Sequence, residues 1–146
     1  MIRRSKTVLS PQPWSWPGPR VLIEHPDETA GMALASSLRQ AGYAVAICPG
    51  PEQADRCPLT GPQGCAAAHG ADAIVSSLGL ERPQAREVVE SLRKRCPGIP
   101  LIVEVPAGQE HTWHDLLEGC QIVSAPARPE QLVSAVQQAL ASNQRE

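Results

Sequence analysis

The chain contains no phenylalanine, and aromatic residues fill only 3 % of its 146 positions. A core must therefore come from Val, Ile, Leu and Ala. At 42 % hydrophobic residues there are enough of these for one domain of ordinary size. A strong charge of either sign is also lacking. The net charge is −2, too weak a field to draw the chain onto nucleic acid or a lipid surface. No basic stripe with interleaved aromatics appears, which argues against a nucleic-acid interface. No apolar run approaches the ~20 residues that cross a bilayer, and neither end has a secretory h-region. The basic start MIRRSK runs into TVLSPQPWSWPGP, which is too short and broken to insert. The expected location is the cytoplasm. Five cysteines make an odd number, and no C-x2-C pair occurs among them. That is a poor fit to a disulfide framework or to the common zinc and iron–sulfur patterns.

What is present is ordered. Residues 1–19 hold four prolines and two tryptophans without periodicity. Proline removes a backbone donor and fixes φ, so this stretch reads as a flexible or surface-draped arm. Trp14 and Trp16 are its candidate partner contacts. From residue 20 onward, strands and helices alternate. RVLIE (Arg20–Glu24) is a first strand, and Asp27 caps a helix over Glu28–Gln40 that Gly42 ends. YAVAIC (Tyr43–Cys48) and DAIVSS (Asp72–Ser77) are the next strands. Gln84–Cys96 is a helix with Val88, Val89, Leu92 and Cys96 at helical spacing. PLIVEV (Pro100–Val105) is a fourth strand, His111–Glu118 a short helix, and Gln121–Ser124 a fifth strand. Pro129 opens a final helix to about Ala141, with Leu132, Val133, Val136 and Leu140 facing inward.

Short apolar strands without clean alternation point to a parallel sheet covered on both faces. The predicted fold is α/β: one doubly wound, flavodoxin-like, five-stranded parallel sheet in order 2-1-3-4-5. It spans residues 20–142, with a short polar tail at 143–146. One slot is irregular. Where a second helix belongs stands CPGPEQADRCPLTGPQGCAAAHG, whose prolines and glycines break any long helix. At most two short turns are expected, near Glu52–Arg56 and near Cys65–His69.

Several stretches in this order resemble the receiver (CheY-like) domain of bacterial two-component response regulators. They are VLIEHPDE (Val21–Glu28), LASSLRQAGYAV (Leu34–Val45), DAIVSSLGL (Asp72–Leu80), PLIVEVPA (Pro100–Ala107) and SAPARPEQL (Ser124–Leu132). The resemblance covers roughly residues 20–141. It implies a phosphorelay chemistry with five groups: two acidic residues after the first strand for Mg²⁺, a phosphoacceptor Asp after the third, a Thr or Ser after the fourth, and a Lys before a proline after the fifth. A hard cation wants carboxylate oxygens, and the incoming phosphoryl charge needs a cation and a donor.

This sequence departs at every one of those positions. The acidic pair falls on His25 and Pro26, the phosphoacceptor on Ser77, the hydroxyl on Val105 and the lysine on Ala125. Asp27, Glu28 and Glu104 lie one or two places off. A serine hydroxyl is a poor nucleophile without a base, and its phosphate ester is too long-lived for a fast switch. The expectation is a degenerate, stand-alone pseudo-receiver, not an enzyme, that binds no Mg²⁺ and signals through protein partners. Self-association through the strand 4, helix 4 and helix 5 face is one such contact, with Trp113 as an anchor. Ser76 and Ser77 are expected to satisfy backbone groups at the strand end. A hydrolytic set of Ser77, His25 and a carboxylate lacks the first glycine of a nucleophile elbow.

The alternative reading is a thiol- or metal-responsive protein. Cys48, Cys57 and Cys65, spaced C-x8-C-x7-C, share the irregular slot with His69, and His25 ends the neighbouring strand. Zinc or a disulfide could order that loop. Cys96 and Cys120 read as core, and His111 and His114 as a solvated helix face.

Overall fold

The structure, a computed structural model, describes residues 18–50 and 64–144. In chain order these form β1 (Arg20–Glu24), α1 (Glu28–Gln40), β2 (Ala44–Cys48), α2 (Ala66–His69), β3 (Ala73–Ser76), α3 (Pro83–Arg95), β4 (Leu101–Pro106), α4 (His114–Leu117), β5 (Gln121–Ala125) and α5 (Pro129–Gln144). The five strands make one parallel sheet in the order β2-β1-β3-β4-β5. This is the doubly wound, CheY-like flavodoxin architecture.

Each interior strand is apolar on both sides because each side is covered. Val21, Ile23, Val75 and Ile102 face α1 and α5, where Leu34, Leu38 and Val136 close one core. Leu22, Ile74, Val103 and Val105 face α2, α3 and α4, where Val88, Leu92 and Leu117 close the other. Burying a side chain of this size removes it from water at roughly 1.5–3 kcal/mol. β5 is an edge strand and only half covered, which leaves Ile122 38 % exposed.

Local signals set the element ends. Asp27 is extended at the start of α1, and its Oδ1 accepts the N–H of Ala30 at 3.0 Å. Past the C-terminal cap of α1, Gly42 adopts φ +101°, a left-handed conformation that glycine takes without a Cβ clash. Asp72 lies just before β3, and its Oδ2 accepts the N–H of Arg20 at 2.7 Å, which fixes the entry of β1 beside it. Gly50 follows β2 with φ +92°. A Cβ there would sit 2.5 Å from Leu78 Cδ2, so the chain passes directly over the β3–α3 connection.

Several predicted boundaries shift. α4 occupies His114–Leu117 rather than residues 111–118. Successive tight turns precede it, with Gln109 N–H on Pro106 O and Thr112 N–H on Gln109 O, and Glu118 is extended after it. α5 runs to Gln144 rather than Ala141, so the expected polar tail begins inside the helix. Ser142, Asn143 and Gln144 carry no apolar periodicity, and helical propagation needs none. α2 is a helix of four residues at the expected Cys65–His69 turn. The arm at 1–17, with Trp14 and Trp16, the turn at Glu52–Arg56, and Cys57 lie outside the described residues.

Candidate functional site

In an open parallel sheet, ligands bind beyond the C-terminal ends of the strands, at the point where the strand order reverses. Here that point lies between β1 and β3. The register sets four residues in a row across the sheet: Cys48, Glu24, Ser76 and Val103. Alternation along the strands turns this row toward the α2 and α3 side, with Leu22 and Ile74 one step below.

Glu24 is the unexpected member. It reads in sequence as an ordinary strand end, yet it is only 5 % exposed and its Oε1 has no hydrogen-bond partner among the described residues. Burial pushes its carboxyl up to about 7, and the neighbouring Ser76 hydroxyl pulls weakly the other way. Ser76 is 1 % exposed, and its Oγ completes no hydrogen bond of standard geometry. The Ser77 Oγ is likewise buried and unpartnered, although the Ser77 amide extends the ladder by donating to Glu24 O at 2.8 Å. The expectation that both hydroxyls satisfy backbone groups is therefore corrected. The ladder amides use main-chain carbonyls, and the hydroxyls are left over.

The other carboxylates near this edge hold backbone amides. Asp27 caps α1. Glu104, on β4, accepts the N–H of Ala127 through Oε2 at 2.9 Å. Ala127 follows the cis Ala125–Pro126 peptide that ends β5. His25 follows β1, half-buried, and its Nδ1 accepts the Asp27 N–H at 3.0 Å. Its ring leans on α1, because a Cβ on Gly31 would lie 3.4 Å from His25 Cβ. His25 thus lies on the α1 face, opposite the one that Cys48 and Glu24 present, and makes no hydrogen bond to Ser77. Val105 is fully buried among apolar neighbours, and Ala125 is half-buried.

The five positions the sequence singled out, His25, Pro26, Ser77, Val105 and Ala125, stand at or next to the C-terminal ends of β1, β3, β4 and β5. They include no carboxylate nucleophile and no lysine. Of the cysteine positions, Cys48 and Cys65 both pack on the core under α2 and α3. Cys48 ends β2, Cys65 caps α2, and His69 ends α2, where its Nδ1 lies 3.6 Å from Cys96 Sγ. No group of three or more His, Cys, Asp or Glu side chains among the described residues is arranged to hold a metal ion.

Trp113 is half-buried and packs inward against the α3 side of the core. The Arg86 guanidinium stacks over its ring, 5.1 Å from the centroid, and also donates to Leu80 O at 2.8 Å. His111 and His114 are exposed, and His114 pairs loosely with Asp115 at 3.4 Å.

Solved structures similar to this one are receiver domains. A CheY-like response-regulator receiver domain from Methanospirillum hungatei JF-1 matches with a TM-score of 0.66 and 20 % identity, over 87 % of this chain and 97 % of that one. The signal receiver domain of an HD domain-containing protein from Pseudomonas fluorescens Pf-5 gives 0.67 and 17 %, over 88 % and 98 %. An orphan response regulator of H. pylori gives 0.62 and 17 %, over 84 % and 96 %. No protein-family model and no curated protein matches the chain. Similarity at this identity establishes the receiver fold. Among the described residues no helix is long and apolar enough to cross a membrane.

Proposed function

We propose that the chain is a pseudo-receiver: a receiver-fold signalling domain that acts through protein–protein contacts and takes no phosphoryl group on an aspartate. One observation carries this reading. At the edge where receiver chemistry would sit, Ser77 holds the acceptor position, and Glu24, Asp27 and Glu104 are committed to the interior or to backbone amides. A phosphoryl group there would meet no acidic pair to hold Mg²⁺ and no lysine, since Ala125 stands in that position. The protein is a binding module rather than an enzyme, and its partner is another protein. The side of β4, α4, β5 and α5 is its candidate face for self-association, with Ile122 as an exposed apolar group.

The test is incubation with Mg²⁺ and a small phosphodonor, followed by intact-mass measurement. The expected result is an unmodified chain. An acid-stable, base-labile phosphoryl adduct would overturn the proposal.

A further inference from the structure

The end of α2 touches the end of α3 through a side-chain contact. Cys65 caps α2 and packs against the same apolar cluster that holds Cys96. His69 stands one turn later, its N–H bonded to Cys65 O at 3.0 Å, so the two side chains ride on one short turn. From there the His69 ring reaches Cys96, with Nδ1 3.6 Å from Sγ. A neighbouring contact repeats the arrangement. A Cβ on Gly64 would lie 2.7 Å from His69 Nε2 and 3.3 Å from Arg95 Nη1, so Gly64 sits beside both of those side chains.

The two thiols differ in ways that suit a sequence of steps. Cys65 is half-buried and open to a small oxidant. Cys96 is 6 % exposed, but it also lines a cavity of about 540 Å³ that opens beside Pro97 and Gly98. A buried thiol attacks only as thiolate, so it needs a proton acceptor at hand. His69 is exposed and in contact with the Cys96 sulfur. An imidazole nitrogen without a proton is an acceptor, which fits it for that task.

We infer that Cys65 and Cys96 form a reversible disulfide on exposure to a hydroperoxide, with His69 taking the proton of Cys96. In the first step the Cys65 thiolate attacks a peroxide oxygen. An S–O bond forms, the O–O bond breaks, and the departing oxygen leaves as water after gaining a proton. In the second step the Cys96 sulfur attacks the Cys65 sulfenic acid. An S–S bond forms, the S–O bond breaks, and the proton held by His69 passes to the leaving hydroxide. For hydrogen peroxide the sum is two thiols oxidised, one peroxide reduced and two waters released. A dithiol reductant restores the thiols by exchange. The bond would staple α2, which is too short to persist without tertiary contacts, onto the end of α3. The link uses none of the residues on which the pseudo-receiver reading rests, so either idea can fail without the other.

The test uses the full chain. It is treated with hydrogen peroxide, remaining thiols are blocked, and linked peptides are mapped by mass spectrometry without reduction. The expected result is a Cys65–Cys96 link that a dithiol releases. Cys65→Ser or Cys96→Ser removes it, Cys48→Ser and Cys120→Ser keep it, and His69→Ala slows its formation several-fold in a chain whose circular dichroism is unchanged. A dominant link through Cys48, Cys57 or Cys120 in the unmutated chain would overturn the inference, as would Cys65 oxidised without any link. An unchanged rate in His69→Ala would overturn the role given to His69.

Discussion

Glu24 and Ser76 are cross-strand neighbours on β1 and β3, both almost wholly buried, and neither Glu24 Oε1 nor Ser76 Oγ completes a hydrogen bond among the described residues. Two polar side chains in an apolar layer, each without a full partner, cost stability. The carboxyl lessens its share by holding a proton.

That proton makes folding pH-dependent. Burial raises the Glu24 carboxyl to about 7 in the folded chain, against 4.5 for an ordinary carboxyl. Between those values the folded state holds a proton that the unfolded state has released. Stability is therefore fully present below about pH 4.5, falls as pH rises, and levels off above about 7. The contribution lost is about 3 kcal/mol. Glu24→Gln removes this fall, so the variant should be the more stable protein at pH 8 and near-equal at pH 4.5. Urea melts at the two pH values check it. A parallel fall with pH in both proteins would exclude Glu24 as the source.

Asp27 and Glu104 accept backbone amides, from Ala30 and Ala127. Asp27→Ala should destabilise the chain by about 1 kcal/mol through loss of the α1 cap, and Asp27→Asn should restore most of it. Glu104→Ala should speed amide exchange at Ala127, whereas Glu104→Gln keeps an acceptor and should not. Thermal melts and hydrogen exchange measure these. An equal loss in the alanine and amide variants would point to charge as the working property.

Ser77→Asp returns a carboxylate to the acceptor position but supplies neither a second acid for Mg²⁺ nor a lysine. The variant should remain unmodified by Mg²⁺ and a phosphodonor. A phosphorylated Ser77→Asp chain would show that one substitution, not a distributed loss, separates this site from phosphotransfer.

Trp113 presents its ring to Arg86 and leaves its buried Nε1 without a partner. Trp113→Phe keeps the ring face and discards the unsatisfied N–H, so it should change stability by less than about 1 kcal/mol. Trp113→Ala should cost about 3 kcal/mol or more. Similar losses in both would mean that the indole nitrogen has a partner in solution.

The sheet was legible because its strands are apolar on both faces and are separated by strong caps, Asp27 before α1 and Gly42 after it. The departures at His25, Ser77, Val105 and Ala125 were legible because each is a residue type at a position. The interior direction of Glu24 follows from strand alternation, but its lack of a partner depends on what three neighbouring strands and the facing helices place around it. The approach of His69 to Cys96 crosses 27 residues and two elements. No spacing announces it, and Cys96 accordingly read as plain core. α4 came out shorter because tight turns over 106–112 compete with helix in a way that apolar spacing does not register.

The bond from Ala127 to Glu104 ties the end of β4 to the entry of α5, and α5 in turn packs on α1. For the proposed function, such a tie would favour an edge that keeps one shape. A partner that docks on it meets a surface already in its bound shape and needs little ordering of the chain on arrival. Information would then be carried by occupancy, by which protein is bound and how much of it, rather than by a change of posture.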